Sequence, residues 1–222
     1  MTNIVFIGLI SFFTDISTEM VYPLIPLYLV SVFGATPALV GIIEGIAGSL
    51  ASLLKVFSGY LTDKFQKKKA LAFSGYSAGL IYKIALIFAT SWLGILSARV
   101  IDRFGKGIRT APRDVLVSDS VEKHNTGKAF GLHKALDMCG AALGILITYF
   151  IIRKSIGDID YKRIFAFSII PAALGLFMFI FVKEKKVIRE LKRRDPFWKN
   201  IKNINGQLKF YLFIRLVRQP II

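Results

Sequence analysis

Long apolar runs joined by short polar segments set the pattern of this chain. Six runs have the roughly 20 residues that a helix needs to cross a bilayer: 4–33, 37–60, 70–91, 92–117, 127–152 and 163–182. The pattern predicts an all-α membrane protein with six transmembrane helices. The fourth run breaks the apolar rule. At about 100° per residue, Arg99, Asp102, Arg103, Lys106, Arg109 and Arg113 fall within an arc of roughly 120°. A charge at the bilayer centre costs about 2.5–3.5 kcal/mol on insertion scales, so such groups face protein or a water-filled cavity. The fourth span therefore predicts an enclosed polar path.

Other polar positions interrupt the remaining spans. Asp15 and Glu19 stand four apart on one face of the first, just before Pro23 and Pro26, which predict a kink. Like charges at that spacing repel, so a proton or cation between them, or pairing with the basic face of span four, would relieve the pair. In span two, Gly41, Gly45, Gly48 and Ser52 form a small-residue stripe of the kind that lets helices approach closely in lipid. Span five carries His133 and Asp137 four apart, followed by Gly140 and Gly144. His titrates near pH 6.5 when unperturbed, so this pair is a candidate for proton relay or for a structural hydrogen bond.

Charge adds topology. The net charge is +16, and from Lys183 onward twelve Lys and Arg face three Asp and Glu. Short cytoplasmic segments collect Lys and Arg, which explains this excess better than nucleic-acid binding does. Lys64, Lys67, Lys68 and Lys69 place the loop after span two inside, and six spans then put both termini in the cytoplasm. Arg153, Lys154, Lys162 and Arg163 run against this assignment. One Cys and two His make no metal-ligand cluster, and no nucleophile–base motif is present, so neither enzyme chemistry nor a cofactor is expected.

Two stretches carry a family resemblance. Gly59-x-Leu61-x-Asp63-Lys64, continued by Lys67 and Lys68, resembles the loop between the second and third spans of the major facilitator superfamily, with Gln66 where that family has Gly. In the family this Asp caps a helix end and the loop latches the inward-closed state. Arg103-x-x-Lys106-Gly107 resembles the family's Arg-x-x-Gln-Gly, a pattern associated with proton coupling. The longer stretch GKGIRTAPRD resembles a prokaryotic branch with mostly unassigned substrates. Gly140-x-x-x-Gly144 is similar to the fifth-span antiporter motif, without its Pro; Ile145 stands there.

The resemblance implies half of a twelve-span fold, built as two inverted three-helix repeats, with the substrate site at the midplane between halves. It implies a proton-coupled transporter of a small solute in a prokaryotic inner membrane, with spans one and four lining the cavity and Asp15 and Glu19 exchanging protons against Arg99 and Arg103. Five bases facing three acids point to an anionic or zwitterionic solute. Spans two and five are expected to face the other half, leaving their glycines without partners here. Residues 1–182 are expected to form the bundle and 183–222 a basic linker with an aborted seventh span, where Arg215 and Arg218 interrupt LKFYLFI. The alternative is a truncated half, inactive alone or acting only with a partner half or as a homodimer.

Overall fold

The computed structural model describes residues 2–65, 67–154, 159–184 and 206. The chain divides into a unit Met1–Lys185 and a unit Lys186–Ile222. The expected linker and seventh span lie outside the described residues, save Lys183, Glu184 and Gly206.

Among the described residues seven α-helices make six spans: α1 (Thr2–Val21) with α2 (Leu24–Phe33), α3 (Pro37–Phe65), α4 (Lys68–Phe88), α5 (Trp92–Asp119), α6 (Thr126–Lys154) and α7 (Tyr161–Met178). Span one is two helices because Pro23 cannot donate to the ladder; α2 restarts behind it and ends at Gly34, whose φ of 63° only glycine adopts readily. Local capping sets the other starts. Thr36 accepts from the Leu39 amide ahead of Pro37, and Ser91 and Asp160 accept from the Gly94 and Arg163 amides. Five stretches are long and apolar enough to cross a membrane. The sixth, α5, is too charged for that measure, yet its 28 residues reach about 42 Å at 1.5 Å each.

The packing is two-fold. Span one packs on spans five and six; span four packs on spans two and three; spans three and six pack on each other. Exchanging spans 1, 2, 3 for 4, 5, 6 leaves that pattern unchanged. A repeat of three spans returns the chain to the opposite side, so the second repeat is inverted. Close crossings rest on glycine. A Cβ on Gly75 would lie 2.7 Å from the Gly105 carbonyl oxygen, and one on Gly105 2.6 Å from that of Gly75.

Two apolar clusters fill the interior. One gathers Ile16, Met20, Val21, Leu24, Leu29, Leu86, Ile95 and Phe165; the other gathers Ile4, Ile7, Ile10, Ala72, Leu116, Val117 and Phe179. Along α1, α4, α5 and α6 the residues between them are polar: Ser11, Thr14, Lys83, Arg99, Asp102, Arg109, His133 and Asp137, all buried. The fold thus sandwiches a charged layer between two apolar plugs.

Candidate functional site

The charged layer holds three groups. The first surrounds Arg99, which is 1% exposed. Its Nε donates to Glu44 Oε1 at 2.9 Å, and its Nη2 donates to the same oxygen at 2.6 Å and also to Oε2. Asp102 Oδ2 lies 3.8 Å from Arg99 Nη1. Arg103 stands between the same two acids, 3.8 Å from Glu44 Oε2 and 3.9 Å from Asp102 Oδ2. Both guanidinium groups lie over the Tyr22 ring, 4.7 Å and 5.1 Å from its centre.

The second group follows α5 toward its C-terminus. Arg109 is buried, 4.4 Å above the Tyr76 ring. Arg113 donates from Nε and Nη2 to Asp114 Oδ1, each at 3.0 Å. Lys106 is exposed. Half-buried Asp15 lies within electrostatic reach of Lys106, Arg109, Arg113 and Asp137. Buried Lys83 donates to the Gly79 carbonyl at 3.1 Å and feels Asp102, Arg109 and Asp15. The third group is His133 with Asp137, Nδ1 to Oδ1 3.7 Å.

The expected pairing of Asp15 and Glu19 with Arg99 and Arg103 is corrected by this geometry. Glu44 takes that place, because span two packs along span four while α1 meets α5 only at their crossing. Asp15 faces the Lys106–Arg113 end instead, and Glu19 makes no ion pair among the described residues. The expected excess of positive charge also shrinks, since Glu44, Asp114 and Asp137 join the three acids anticipated. Glu44 was visible in the sequence as the one acid among small and apolar residues of span two; nothing in the sequence assigned its partner. Lys83, Ser11, Tyr22 and Tyr76 carried no signal as a group.

The basic loop is spread over several environments. Gly59 and Leu61 are half-buried, and Lys64 lies 5.9 Å from the centre of the Tyr60 ring. The Asp63 side chain lies outside the described residues. Lys67 is exposed, whereas Lys68 is buried and its Nζ meets Asp119 Oδ2 at 2.5 Å. The start of α4 is capped by Glu184, which accepts from the Lys68 and Lys69 amides at 2.7 Å and 3.3 Å. The glycines divide. Gly41, Gly45 and Gly48 are exposed, with nothing among the described residues within 4 Å of an added Cβ. Gly140 and Gly144, expected to lack partners, instead seat α6 on α1: an added Cβ would lie 2.4 Å and 2.5 Å from the Phe12 and Ile16 carbonyl oxygens.

Six inverted-repeat spans enclosing a charged layer define an integral membrane protein with a polar interior. The profile of the Major Facilitator Superfamily matches residues 7–221, and the chain belongs to that family. An uncharacterised MFS-type transporter of Methanocaldococcus jannaschii is 33% identical over 215 residues, 97% of this chain and 52% of the relative. The multidrug resistance protein MdtH of Photorhabdus laumondii is 21% identical over 195 residues, 88% of this chain and 47% of its own length. A POT family transporter solved with 5-aminolevulinic acid superposes with a TM-score of 0.71, covering 96% of this chain and 46% of its own, at 15% identity. That likeness shows the fold. The chain spans about half the length, or less, of the curated relatives it matches.

Proposed function

We propose that this chain is the N-terminal half of a proton-coupled secondary transporter for a small solute. The observation that carries this reading is Arg99: a guanidinium buried inside the helical bundle, gripped by Glu44 on span two and flanked by Asp102 on its own helix. A buried ion pair contributes little net stability relative to apolar packing, but a guanidinium with two acceptors makes a switch. Glu44 is the wetter acid, its side chain 27% exposed against 5% for Asp102. A proton arriving at Glu44 weakens its hold on Arg99, and the guanidinium turns to Asp102. Span two is then released from span four. Arg103 and the Tyr22 ring keep the cations in place throughout.

The solute class follows from the charges that remain reachable. Exposed Lys106 lies near half-buried Asp15 and buried Asp102, so both signs are presented along spans one and four. That favours a zwitterion over a simple anion. The test uses everted membrane vesicles carrying the complete transport unit, with a pH-sensitive dye inside. Zwitterionic solutes drive proton movement, and Glu44→Gln abolishes that coupling while solute exchange persists. Undiminished coupling in Glu44→Gln would sink the reading.

A second half completes the unit in this reading. The outward stripe Gly41, Gly45 and Gly48 finds no partner within 4 Å among the described residues, and close helix contact in lipid is what such stripes permit. Either another six-span polypeptide segment or a second copy through two-fold pairing fills that role. Native mass measurement of the 222-residue chain separates them: two copies support self-pairing, one copy favours a distinct partner. The positive-inside tendency of Lys64, Lys67, Lys68 and Lys69 supports a cytoplasmic side for their loop and for both ends of the six-span half in this reading.

A further inference from the structure

A buried polar chain lies apart from the Arg99 group and is not used by it. Ser11 of span one is 2% exposed, Tyr76 of span three 4%, and His133 of span five 4%. Ser11 Oγ lies 3.1 Å from Tyr76 Oη and 2.9 Å from His133 Nε2. The other ring nitrogen, Nδ1, faces Asp137 Oδ1 at 3.7 Å, beyond hydrogen-bond length. That carboxylate oxygen is fully buried and has no hydrogen-bond partner among the described residues. The remaining oxygen, Oδ2, has Lys134 Nζ at 3.8 Å, on a side chain 65% exposed.

A buried acceptor without a donor costs about 1–3 kcal/mol and calls for an explanation. The ring supplies one. With Nε2–H donating to Ser11, and Ser11 to Tyr76, the neutral imidazole turns a bare Nδ1 toward a bare Oδ1. Two acceptors then oppose each other, which accounts for both the 3.7 Å gap and the unsatisfied oxygen. One proton added to Nδ1 satisfies both atoms after a shift of under 1 Å.

We propose that His133 and Asp137 form a proton-binding site, loaded at His133 Nδ1 and linked through Ser11 and Tyr76 to span three. The charged groups facing it are Asp15 from α1, Arg113 and Asp114 from α5, and Lys134 from α6 itself. Arg109 of α5 lies over the Tyr76 ring at the far end of the chain. Proton arrival adds a positive charge beside Arg113 and neutralises the field of Asp137, so the loaded site acts on span four near Arg113, fourteen residues along α5 from the Arg99 that Glu44 holds. The use of this proton rests on the proton-coupled reading above; its binding does not.

The chain holds two histidines, and His124 is exposed, its side chain at 72%. Nitrogen-15 NMR of the histidine-labelled chain in nanodiscs therefore reads His133 against an internal reference, with no solute and no transport. The expected result is a neutral His133 protonated at Nε2, converting to the doubly protonated ring on acidification. Asp137→Asn lowers the proton affinity of His133 by about ten- to a thousandfold, the range for losing an opposite charge this close, and leaves His124 unmoved. Ser11→Ala shifts the neutral tautomer toward Nδ1–H. Lys134→Ala alters an exposed side chain, serves where Asp137→Asn does not fold, and raises the proton affinity. A His133 that stays neutral to pH 4.5, or one indifferent to both Asp137→Asn and Lys134→Ala, overturns the proposal. Either result leaves the Glu44 switch standing, and a failed vesicle assay leaves this site standing.

Discussion

Removing Glu44 isolates the energetic core of the site. Arg99 is 1% exposed, so Glu44→Ala strips three hydrogen bonds from a guanidinium almost wholly shielded from solvent. Deleting one partner of a buried pair costs about 3–5 kcal/mol, because the survivor keeps its charge in a poor dielectric. Two features set this case near the low end. Asp102 remains 3.8 Å away to share the charge, and the Glu44 side chain is 27% exposed, so its own desolvation was partial. The expected loss is about 3 kcal/mol. Glu44→Gln keeps an acceptor while losing the charge, and should lose only about 1–2 kcal/mol. At about 2–4 °C per kcal/mol for a chain of this size, Glu44→Ala melts about 6–12 °C below the parent in detergent, followed by circular dichroism. Glu19→Ala is the control. With no ion pair among the described residues, it stays within about 1 kcal/mol of the parent. Equal melting of Glu44→Ala and Glu19→Ala would refute the assignment of Arg99 to span two.

Further outcomes follow from the same packing. Gly140→Ala drives a methyl group to 2.4 Å from the Phe12 carbonyl oxygen and should lose about 1–3 kcal/mol in a melting experiment. Gly45→Ala meets nothing within 4 Å and should be neutral or gain up to about 1 kcal/mol from helix propensity in the isolated chain. Glu184→Ala uncaps α4 at a cost of about 1 kcal/mol, read as roughly fivefold faster amide exchange at Lys68 and Lys69. In a Cys139→Ala background, Lys67→Cys should react with an impermeant maleimide only in everted vesicles and Thr36→Cys only in right-side-out cells; the reverse pattern overturns the topology.

The spans were legible because apolar length is a local property. The break in span one followed from Pro23, and the charged face of α5 followed from helical spacing alone. Neighbour identity did not follow. A helical wheel says which way Arg99 points and not which span lies there, so Asp15 and Glu19 were paired with it on charge alone, when Glu44 holds it. The two glycine sets show the same limit. Gly41 with Gly45 and Gly140 with Gly144 share a four-residue spacing, yet one pair is bare and the other carries the α1–α6 contact. Spacing states that a helix can be approached closely; the partner depends on the order in which spans pack. Ser11 and Tyr76 were silent for another reason. Each is an ordinary half-polar residue until three different spans bring them to His133.

The two-fold packing gives a physical reason for the charges to sit on spans one and four. The heaviest contacts come as symmetry mates. Span one is held by span five at Gly140 and Gly144 and by span six at Gly175, where an added Cβ would lie 3.2 Å from the Ile10 carbonyl oxygen. Its mate, span four, is held by span two at Gly107, where a Cβ would lie 2.5 Å from Leu54 Cβ, and by span three at Gly75 and Gly105. Each central helix is thus clamped on two sides by near-backbone contact, and where the seams of span four are lined by glycine a long side chain threads between, as Arg109 does beside Gly79 and over Tyr76. The remaining side of each turns toward the axis where α1 meets α5. Polar groups on the central helices occupy that side and its borders, where Arg99 reaches Glu44 of span two and Arg109 reaches Tyr76 of span three. Two identical helices would place like charges face to face across the axis. In this chain the mates have opposite sign, with Asp15 and Glu19 on α1 and Arg99, Arg103, Lys106, Arg109 and Arg113 on α5. Sign divergence between the repeats makes the axial layer tolerable in the membrane, and the local surplus of bases on α5 draws in Glu44 from span two and Asp137 from span five, themselves symmetry mates. The two acids that the proposed proton chemistry uses therefore occupy equivalent spans, and they meet α5 at different levels, Glu44 at Arg99 and Asp137 near Arg113.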